Sequence, residues 1–377
     1  MIYMTDYHKF DDIRPYTDDE IPAAMQRIVS DPYFPQVAQY VYPDRTLQEV
    51  RNIMLGCRNI YEFQTTVMKQ VNEQVIARTT DGLSFGGTER IDPSKRYLFI
   101  SNHRDIVLDS CLLMYILHTN GHKIGEITFG SNLMKGQMVI DIGKSNKMFK
   151  VERGGNPREL YATSVHLSEY IRYTITQKME SVWIAQRNGR TKDGIDRTDQ
   201  GLVKMLSMSG GKDRVKALAD LNIAPVSVSY EWESCDILKT LELYASRDGK
   251  PYVKKPGEDL NSILTGITQP KGRVHIEICQ PGTAYDLNAI PADCADAQFR
   301  HSVAELIDRR ICGGYRLFPN AYIAHDIRSG SGRYAAHYTD KQRDAFNARL
   351  HELDRFGNDP ALREIFLGIY ANPVDSH

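Results

Sequence analysis

A short segment near residue 103 carries the first side chains that could perform chemistry. Asn102 and His103 follow a run of apolar residues that predicts a strand, and Asp105 and Asp109 lie at the start of a predicted helix. The two aspartates are four residues apart and therefore project from one helical face. Either carboxylate could accept the second ring N–H of His103, which would fix the tautomer of the imidazole and prepare it as a general base. The alternative is that Asp105 is an ordinary helix N-cap and His103 a turn residue.

Two loops rich in arginine could bind an anion. The first follows an apolar strand that is predicted to end at Arg153, and its Gly-Gly turn lets backbone amides approach a ligand. The second follows a strand predicted over residues 181–185 and is rich in glycine and cations. Arginine suits phosphate because it can donate two parallel hydrogen bonds. The candidate phosphate-binding residues are Arg153, Arg187, Gly189, Arg190, Thr191 and Lys192. The alternative for both loops is a solvated charged surface.

The charge of the chain is balanced overall but unevenly distributed. Its 377 residues include 47 Lys and Arg against 48 Asp and Glu, which gives a formal net charge of −1. This balance argues against a chain-wide nucleic-acid binder. Residues 1–50 nevertheless carry −5 and residues 121–216 carry +7. The basic middle contains both arginine-rich loops and therefore predicts a local anion site for a phosphate or an anionic headgroup.

Hydropathy and cysteine usage exclude several classes of protein. No run of residues approaches the length of apolar sequence that a membrane-spanning helix needs, and the N-terminus lacks the apolar core of a secretory signal. The six cysteines are scattered without a CxxC spacing. We therefore expect no disulfide framework and no metal site, and we expect a reducing compartment.

The elements that must position the candidate residues fall into three regions. Residues 1–78 predict an all-helical N-terminal module. Residues 79–330 alternate strands with helices, which predicts an α/β sheet flanked by helices. Residues 331–377 predict a helical C-terminal tail. The candidate residues all lie in the middle region, at points where a predicted strand gives way to a loop or helix.

Taken in order, four segments of the middle region resemble the glycerophospholipid acyltransferase superfamily. That family includes glycerol-3-phosphate acyltransferases and lysophosphatidate acyltransferases. Its first motif, Asn-His followed by four residues and Asp, is matched by Asn102-His103 and Asp109, with one additional residue between His and Asp. The later blocks are matched by Phe149–Arg153, by Arg187–Thr191 and by the strand that begins Ala224-Pro225-Val226. The third block lacks the acidic residue of the family, and the resemblance covers roughly residues 83–285.

The resemblance implies a mixed β-sheet flanked by helices and an O-acyltransferase of phospholipid biosynthesis. It implies that His103, oriented by Asp109 or Asp105, takes the proton from an acceptor hydroxyl, which then attacks the thioester of acyl-CoA or acyl-carrier protein. We favour Asp109, because the residues after it match the start of the family's helix. Arg153 and Arg190 would bind the phosphate of the acceptor, which would be glycerol-3-phosphate or a lysophospholipid such as lysophosphatidic acid. No cofactor is implied beyond the acyl donor as co-substrate.

An amphiphilic substrate implies contact with a membrane surface. We therefore expect a cytoplasmic protein that is peripheral on the inner face of the membrane.

Two other interpretations stay open. The chain could be an acyltransferase-like lipid-binding protein without activity, since the first motif has altered spacing and the third lacks its acidic residue. Alternatively, the segment from Ser209 to Asp213 resembles the pyrophosphate-binding loop of ATP pyrophosphatases and would predict an ATP-dependent enzyme.

Overall fold

A mixed seven-stranded sheet forms the centre of the protein. The computed structural model describes residues 7–249 and 252–376. The strands within them are β1 (Thr80–Gly86), β2 (Leu98–Ser101), β3 (Glu126–Gly130), β4 (Met148–Val151), β5 (Val182–Ala185), β6 (Ile223–Tyr230) and β7 (Gly272–Ile278). Their order in the sheet is β1-β7-β6-β2-β5-β3-β4. Only β6 and β7 pair antiparallel among these described strands. The predicted α/β fold class, with a mixed sheet flanked by helices, is confirmed.

Helices cover both faces of the sheet, which explains why its central strands are apolar on both sides. The helices between the strands are α6 (Leu108–Thr119), α7 (Gln137–Ser145), α8 (Pro157–Thr176), α9 (Gln200–Ser207), α10 (Arg214–Ala219), α11 (Asp236–Ala245) and α12 (Glu258–Thr268), and the short α13 (Ala284–Asn288) follows β7. Ile100 and Ile184 pack against α8 and α9 on one face, and Phe99 and Trp183 pack against α6 on the other. Strands buried on both faces are typical of parallel sheets.

The N-terminal region is helical as predicted. Its helices are α1 (Ile21–Ser30), α2 (Phe34–Val41), α3 (Leu47–Gly56), the short α4 (Ile60–Glu62) and α5 (Lys69–Thr79), with a π-helical segment over Phe63–Met68. Thr46 caps α3 through its hydroxyl oxygen, as its position in the sequence suggests. Helix α2 was not predicted; Pro35 lies in its first turn, where proline does not interrupt the hydrogen bonding. The region buries its apolar face against α7.

The C-terminal region adds four helices: α14 (Asp296–Gly313), α15 (Pro319–Ser329), α16 (Asp340–His351) and α17 (Pro360–Ser376). Helices α15, α16 and α17 share one apolar core with Ile237 of α11. The boundary at residue 331 stays a prediction, because this core contains residues from both sides of it. Short 3-10 turns occur at Tyr7–Phe10, Asp18–Glu20, Thr88–Arg90, Arg247–Gly249, Ala335–His337 and Glu352–Phe356.

The length and hydropathy of the helices bear on membrane topology. Throughout residues 7–249 and 252–376, no helix has the combination of length and apolar character that a membrane span requires.

Candidate active site

One edge of the sheet brings together residues that follow neighbouring strands. Strands β2 to β6 are parallel to one another, so their carboxyl ends lie at one edge, here called the carboxyl edge. His103 follows β2, Arg153 follows β4, Arg190 follows β5, and Tyr230 ends β6. In α/β proteins this edge is where ligands usually bind. The topology therefore collects the sequence candidates on one side of the molecule.

His103 and Asp109 form a hydrogen-bonded pair. The Nδ1 atom of His103 lies 3.0 Å from Oδ2 of Asp109, whose side chain is fully buried. The imidazole also packs edge-on against the ring of Trp183, with 5.7 Å between the ring centroids. The His103 side chain keeps 14% of its surface exposed, and within the described chain no residue hydrogen-bonds its Nε2 atom. One ring nitrogen is thus fixed by a carboxylate and the other is free to exchange a proton.

The carboxylate of Asp109 is fixed by three further donors. The backbone N–H groups of Arg104 and Asp105 donate to Oδ2 over 2.6 and 2.9 Å, and the hydroxyl of Tyr230 donates to Oδ1 over 2.9 Å. Burial and the nearby carboxylate of Asp109 raise the pKa of Tyr230 well above its usual value, so the hydroxyl stays protonated and continues to donate. These three hydrogen bonds fix the orientation of the Asp109 carboxylate, so the oxygen that contacts His103 stays in place.

Asp105 has a different role from Asp109, although both were candidates for the contact with His103. Its Oδ1 atom accepts the backbone N–H groups of Val107 and Leu108 over 2.9 and 2.8 Å, and its Oδ2 atom accepts the hydroxyl of Ser234. This is the bonding of a helix cap. The interpretation of Asp105 as a partner of His103 is corrected, because its carboxylate is turned onto the amides that follow it.

The additional residue between His103 and Asp109 is accommodated in the loop before α6. The helix begins at Leu108, which places Asp109 in its first turn. The loop wraps around the Asp109 carboxylate so that the amides of Arg104 and Asp105 point towards it. Four amides near the helix start are thus occupied by the two aspartates, so they are not free to donate to an oxyanion.

A buried carboxylate, Asp196, ties the loop after β2 to the loop after β5. It accepts hydrogen bonds from the Asn102 amide, the Arg104 guanidinium and the hydroxyls of Thr191 and Tyr315. Burial favours the neutral acid, but Arg104 and these hydrogen bonds hold the pKa of Asp196 below its usual value. The backbone N–H of Thr191 also donates to the carbonyl of His103 over 2.7 Å. Asp196 was missed in the sequence because no motif surrounds it.

Arg190 is a buried cation without an anionic partner. Only 8% of its surface is exposed, its Nη1 atom has no hydrogen-bond acceptor, and no carboxylate of the described residues forms an ion pair with it. Both polar side-chain atoms of Gln186, in the same loop, are likewise buried without a partner. Because the backbone N–H of Thr191 is bonded to the carbonyl of His103, the backbone at Arg190 runs close to that of the candidate base. A buried guanidinium normally has a partner, so this loop is suited to receive an anion.

The other candidates of the loop after β5 contribute less to an anion site. The hydroxyl of Thr191 is bonded to Asp196, and the ammonium of Lys192 is bonded to Glu242 of α11. The hydroxyl donor of Thr191 is thus used within the chain, whereas the Lys192 ammonium keeps further N–H donors, and the phosphate contacts of both residues stay a prediction. Gly189 adopts a left-handed backbone conformation with φ of 79°, which allows the tight turn before Arg190. Arg187 is half-buried and has no ion pair among the described residues.

Arg153 reaches towards the same edge from β4. An atom added as Cβ on Gly130 would lie 3.2 Å from Nε of Arg153, so the arginine crosses the end of β3 where glycine leaves room. The backbone N–H of Arg153 donates to Ser131 over 3.1 Å. Strand β4 is three strands from β2, or about 15 Å at the usual spacing. Arg153 thus lies at the outer part of the edge, and Arg190 lies at the inner part beside His103.

Charged side chains behind the loop after β2 hold its backbone. The Nζ atom of Lys239 donates to the carbonyl of Arg104 over 2.7 Å and also to Glu233. Burial opposes the charge of Arg104, but Asp196 and Glu233 hold its pKa well above its usual value. The residue that follows the candidate base is therefore fixed through both its backbone and its side chain.

The segment from Ser209 to Asp213 connects two helices. It lies between α9 and α10, where Asp213 accepts the first amides of α10 and the Ser209 hydroxyl is bonded to Arg172 and Ser168. A Cβ on Gly210 would lie 2.2 Å from the side chain of Ala217. A pyrophosphate-binding loop follows a strand and keeps its amides free. This geometry does not favour the ATP-pyrophosphatase alternative.

Comparison with known proteins gives a likeness in structure and none in sequence. No family model matches the chain, and no curated protein matches its sequence. The chain is similar to the crystal structure of the 1-acyl-sn-glycerophosphate (LPA) acyltransferase PlsC from Thermotoga maritima. The TM-score is 0.39 and the identity is 13%, with 77% of this chain and 93% of that chain covered. A likeness at this level does not identify an activity, which depends on the residues of the site.

Proposed function

We propose that the protein is an O-acyltransferase. It moves a fatty acyl group from acyl-CoA or acyl-carrier protein to a hydroxyl of glycerol-3-phosphate or a lysophospholipid. One observation carries the proposal: His103 is bonded to the buried Asp109 through Nδ1, while the adjacent loop holds Arg190 buried and without an anionic partner. A positioned base beside an unsatisfied cation suits an acceptor that has both a hydroxyl and a phosphate.

The base acts through the nitrogen that is not bonded to Asp109. Nε2 of His103 takes the proton of the acceptor hydroxyl as its oxygen attacks the thioester carbonyl. When the tetrahedral intermediate collapses, the C–S bond breaks and the departing thiolate takes the proton back from Nε2. Asp109 stabilises the intermediate imidazolium and holds its orientation, with Tyr230 fixing the second carboxylate oxygen. The step requires no covalent acyl-enzyme.

The arginines bind the acceptor. A phosphate beside His103 would receive two parallel hydrogen bonds from Arg190, and this contact positions the hydroxyl for attack. Arg153 lies farther out along the carboxyl edge and would contact the same phosphate or the phosphates of the donor. Because the amides of Arg104 and Asp105 already donate to Asp109, oxyanion stabilisation requires other donors.

The chemistry of the proposed substrates indicates where in the cell the protein acts. A long-chain acyl donor and a glycerolipid acceptor place the enzyme at a membrane surface, and we propose a cytoplasmic protein that is peripheral on the inner face of the membrane. The donor is a co-substrate, and the proposal includes no cofactor or metal.

Removal of the base tests the proposal. Purified wild type and H103A are incubated with labelled acyl-CoA or acyl-carrier protein and a panel of glycerol-3-phosphate, lysophosphatidate and glycerol. We expect transfer to a phosphate-bearing acceptor by wild type and a decrease of about 10²–10⁴-fold for H103A, the usual contribution of a general base. H166A is the matched control, since His166 lies on α8 away from the site, where its ring is bonded to Asp12. Equal rates for wild type and H103A would contradict the proposal, and lipid binding without turnover by wild type would favour an inactive acyltransferase-like protein.

A further inference from the structure

Helix α12 spans the carboxyl edge above the candidate active site. Near its start, Asp259 accepts a hydrogen bond from Asn132, which follows β3, over 3.2 Å. Near its end, Gly266 packs against Asp105, which follows β2, because a Cβ there would lie 2.2 Å from Oδ2. The seven residues between these contacts rise about 10 Å, and two strand spacings also span about 10 Å. The helix therefore crosses the ends of β3, β5 and β2.

The face of α12 that points away from the sheet exposes two leucines alongside the polar residues Asn261 and Thr268. Ser262 and Gly266 are buried, whereas Leu260 and Leu264 are 55% and 54% exposed on successive turns. Val253, in the segment that leads into the helix, is 80% exposed. Large apolar side chains this exposed, two of them on successive turns of one helix, leave apolar surface open to solvent beside the site.

Cations without partners surround this patch. Lys255 and Lys135 are exposed, and in the described part of the chain neither side chain makes an ion pair or a hydrogen bond. The carboxylate of Asp259 is bonded to Lys254, and that of Glu258 to Tyr252. Lys135 also acts on Asp259, whose carboxyl pKa it helps to lower, and Glu258 keeps its negative charge because Tyr252 is a neutral donor. The three lysines and two carboxylates beside the patch therefore leave a formal charge of +1. Leucines flanked by free lysines are the pattern that binds an anionic bilayer surface, with apolar residues in the interface and lysines at the headgroups.

We propose that Val253, Leu260, Leu264, Lys135 and Lys255 form a docking surface for anionic lipid bilayers. The surface orients the carboxyl edge towards the membrane, so an acceptor in the headgroup layer enters next to His103. The role of this surface in substrate entry rests on the proposed function. Its binding to lipid does not, because that binding is measured without turnover.

Vesicle flotation tests the docking surface. The full-length wild type is floated at low salt with vesicles of phosphatidylglycerol and phosphatidylcholine in equal parts, and with vesicles of phosphatidylcholine alone. We expect L260D/L264D to bind the mixed vesicles at least about tenfold more weakly, since burial of one leucine contributes about that factor. The affinity of K135Q/K255Q for the mixed vesicles should decrease by about 25-fold, or about fivefold per lysine, and its affinity for neutral vesicles should not change. The matched control is L47D/L55D, which changes two exposed leucines of α3 in the same way and should bind as wild type.

A second measurement separates this inference from the proposed function. Transfer from a short-chain, water-soluble acyl-CoA to glycerol-3-phosphate without vesicles should stay within about twofold of wild type in both surface variants, because neither changes the site. If the wild type binds vesicles but transfers no acyl group, and the surface variants lose vesicle binding, the docking surface is supported and the proposed acyltransferase activity is overturned. Wild-type flotation of L260D/L264D, equal losses in L47D/L55D, or no binding of wild type to mixed vesicles would each overturn the surface.

Discussion

The loop after β2 and the loops after β4 and β5 lie at one edge of the sheet but differ in how their polar groups are satisfied. In the first loop, Asp105 and Asp109 accept four backbone amides between them, and Arg104 is bonded to Asp196. In the other two loops, Arg153 and Arg190 have no carboxylate partner among the described residues. The first loop is bonded within the chain apart from Nε of Arg104, which is buried without a partner. For the other loops, we propose that the missing anionic partner is the phosphate of the acceptor.

This difference matches two tasks within one reaction. Proton transfer requires a base held in a fixed position, and a satisfied hydrogen-bond network supplies that rigidity. Phosphate binding requires donors that are not already used, at some cost in stability for the free protein. The two regions should therefore respond to mutation in different ways: the first through the rate of transfer, and the second through acceptor affinity with a gain in stability.

The largest effect is expected from the carboxylate that orients His103. In D109N the amide oxygen can still accept the two backbone N–H groups, but it no longer stabilises the imidazolium. We expect kcat to decrease by about 10³-fold, the order seen when an orienting aspartate becomes asparagine. D105N is the matched control, since its oxygen still caps α6, and it should keep activity within about threefold. Steady-state kinetics check both variants; a fully active D109N beside an inactive D105N would reverse the assignment of the two aspartates.

A smaller effect is expected at the unpartnered cation. R190M removes two charge-assisted hydrogen bonds to the acceptor phosphate, which we expect to lower kcat/KM for glycerol-3-phosphate by about 10²-fold. The same variant should unfold at a higher temperature than wild type, because a buried unpaired charge is replaced by an apolar side chain. Kinetics and thermal unfolding measure the two quantities, with R197M as the control at an exposed position of the same loop. A loss of stability in R190M would mean that Arg190 has a structural partner.

The smallest effect concerns Lys271, a buried lysine close enough to Asp105 of the loop after β2 to interact with its charge. Lys271 is fully buried, its Nζ atom is bonded to the carbonyl of Gln269 and the hydroxyl of Thr79, and burial lowers its pKa to about 8. In the unfolded chain the pKa of lysine is about 10.4. Between these values the unfolded state binds the additional proton, so the free energy of unfolding rises with pH by up to about 1.4 kcal/mol per unit.

The comparison that isolates this contribution is wild type against K271M. Urea unfolding at pH 8 and pH 9.5 should show wild type gaining about 1–2 kcal/mol relative to K271M. K204M, at an exposed position of α9, should change with pH as wild type does. Parallel pH dependences for wild type and K271M would show that the lysine does not lose its proton in this range.

The sequence was more informative about which segments meet at the carboxyl edge than about which of their side chains bond to each other. The strand-loop-helix pattern around His103 was enough to predict that a base and a carboxylate meet at a strand end. It left Asp105 and Asp109 open because they share a helical face, and only the path of the loop decides which carboxylate turns back onto the following amides. Lys192 could not be separated from Arg190, since its partner Glu242 is 50 residues away in sequence.

The fold shows the same division between local and long-range information. The starts of two helices have local signals in the sequence: Thr46 is an N-cap before Leu47, and Pro157 is a proline in the first turn of its own helix. Strand β1 was not predicted: it lies at the edge of the sheet, its burial pattern lacks strict alternation, and its partner residues in β7 are more than 190 positions away. Asp196 and Tyr230 likewise acquire their roles only through contacts across the sheet.

The hydrogen bonds of Asp196 have a consequence for the order of events during synthesis. Tyr315, which completes the set, comes 119 residues after Asp196 in the chain. At about 5–20 residues per second, the ribosome needs roughly 6–24 s to add that length. During this interval a growing chain already contains His103, Asp109 and Arg190 but lacks the residue that closes their supporting network. The nascent protein therefore acquires a finished site only after α14 has been made.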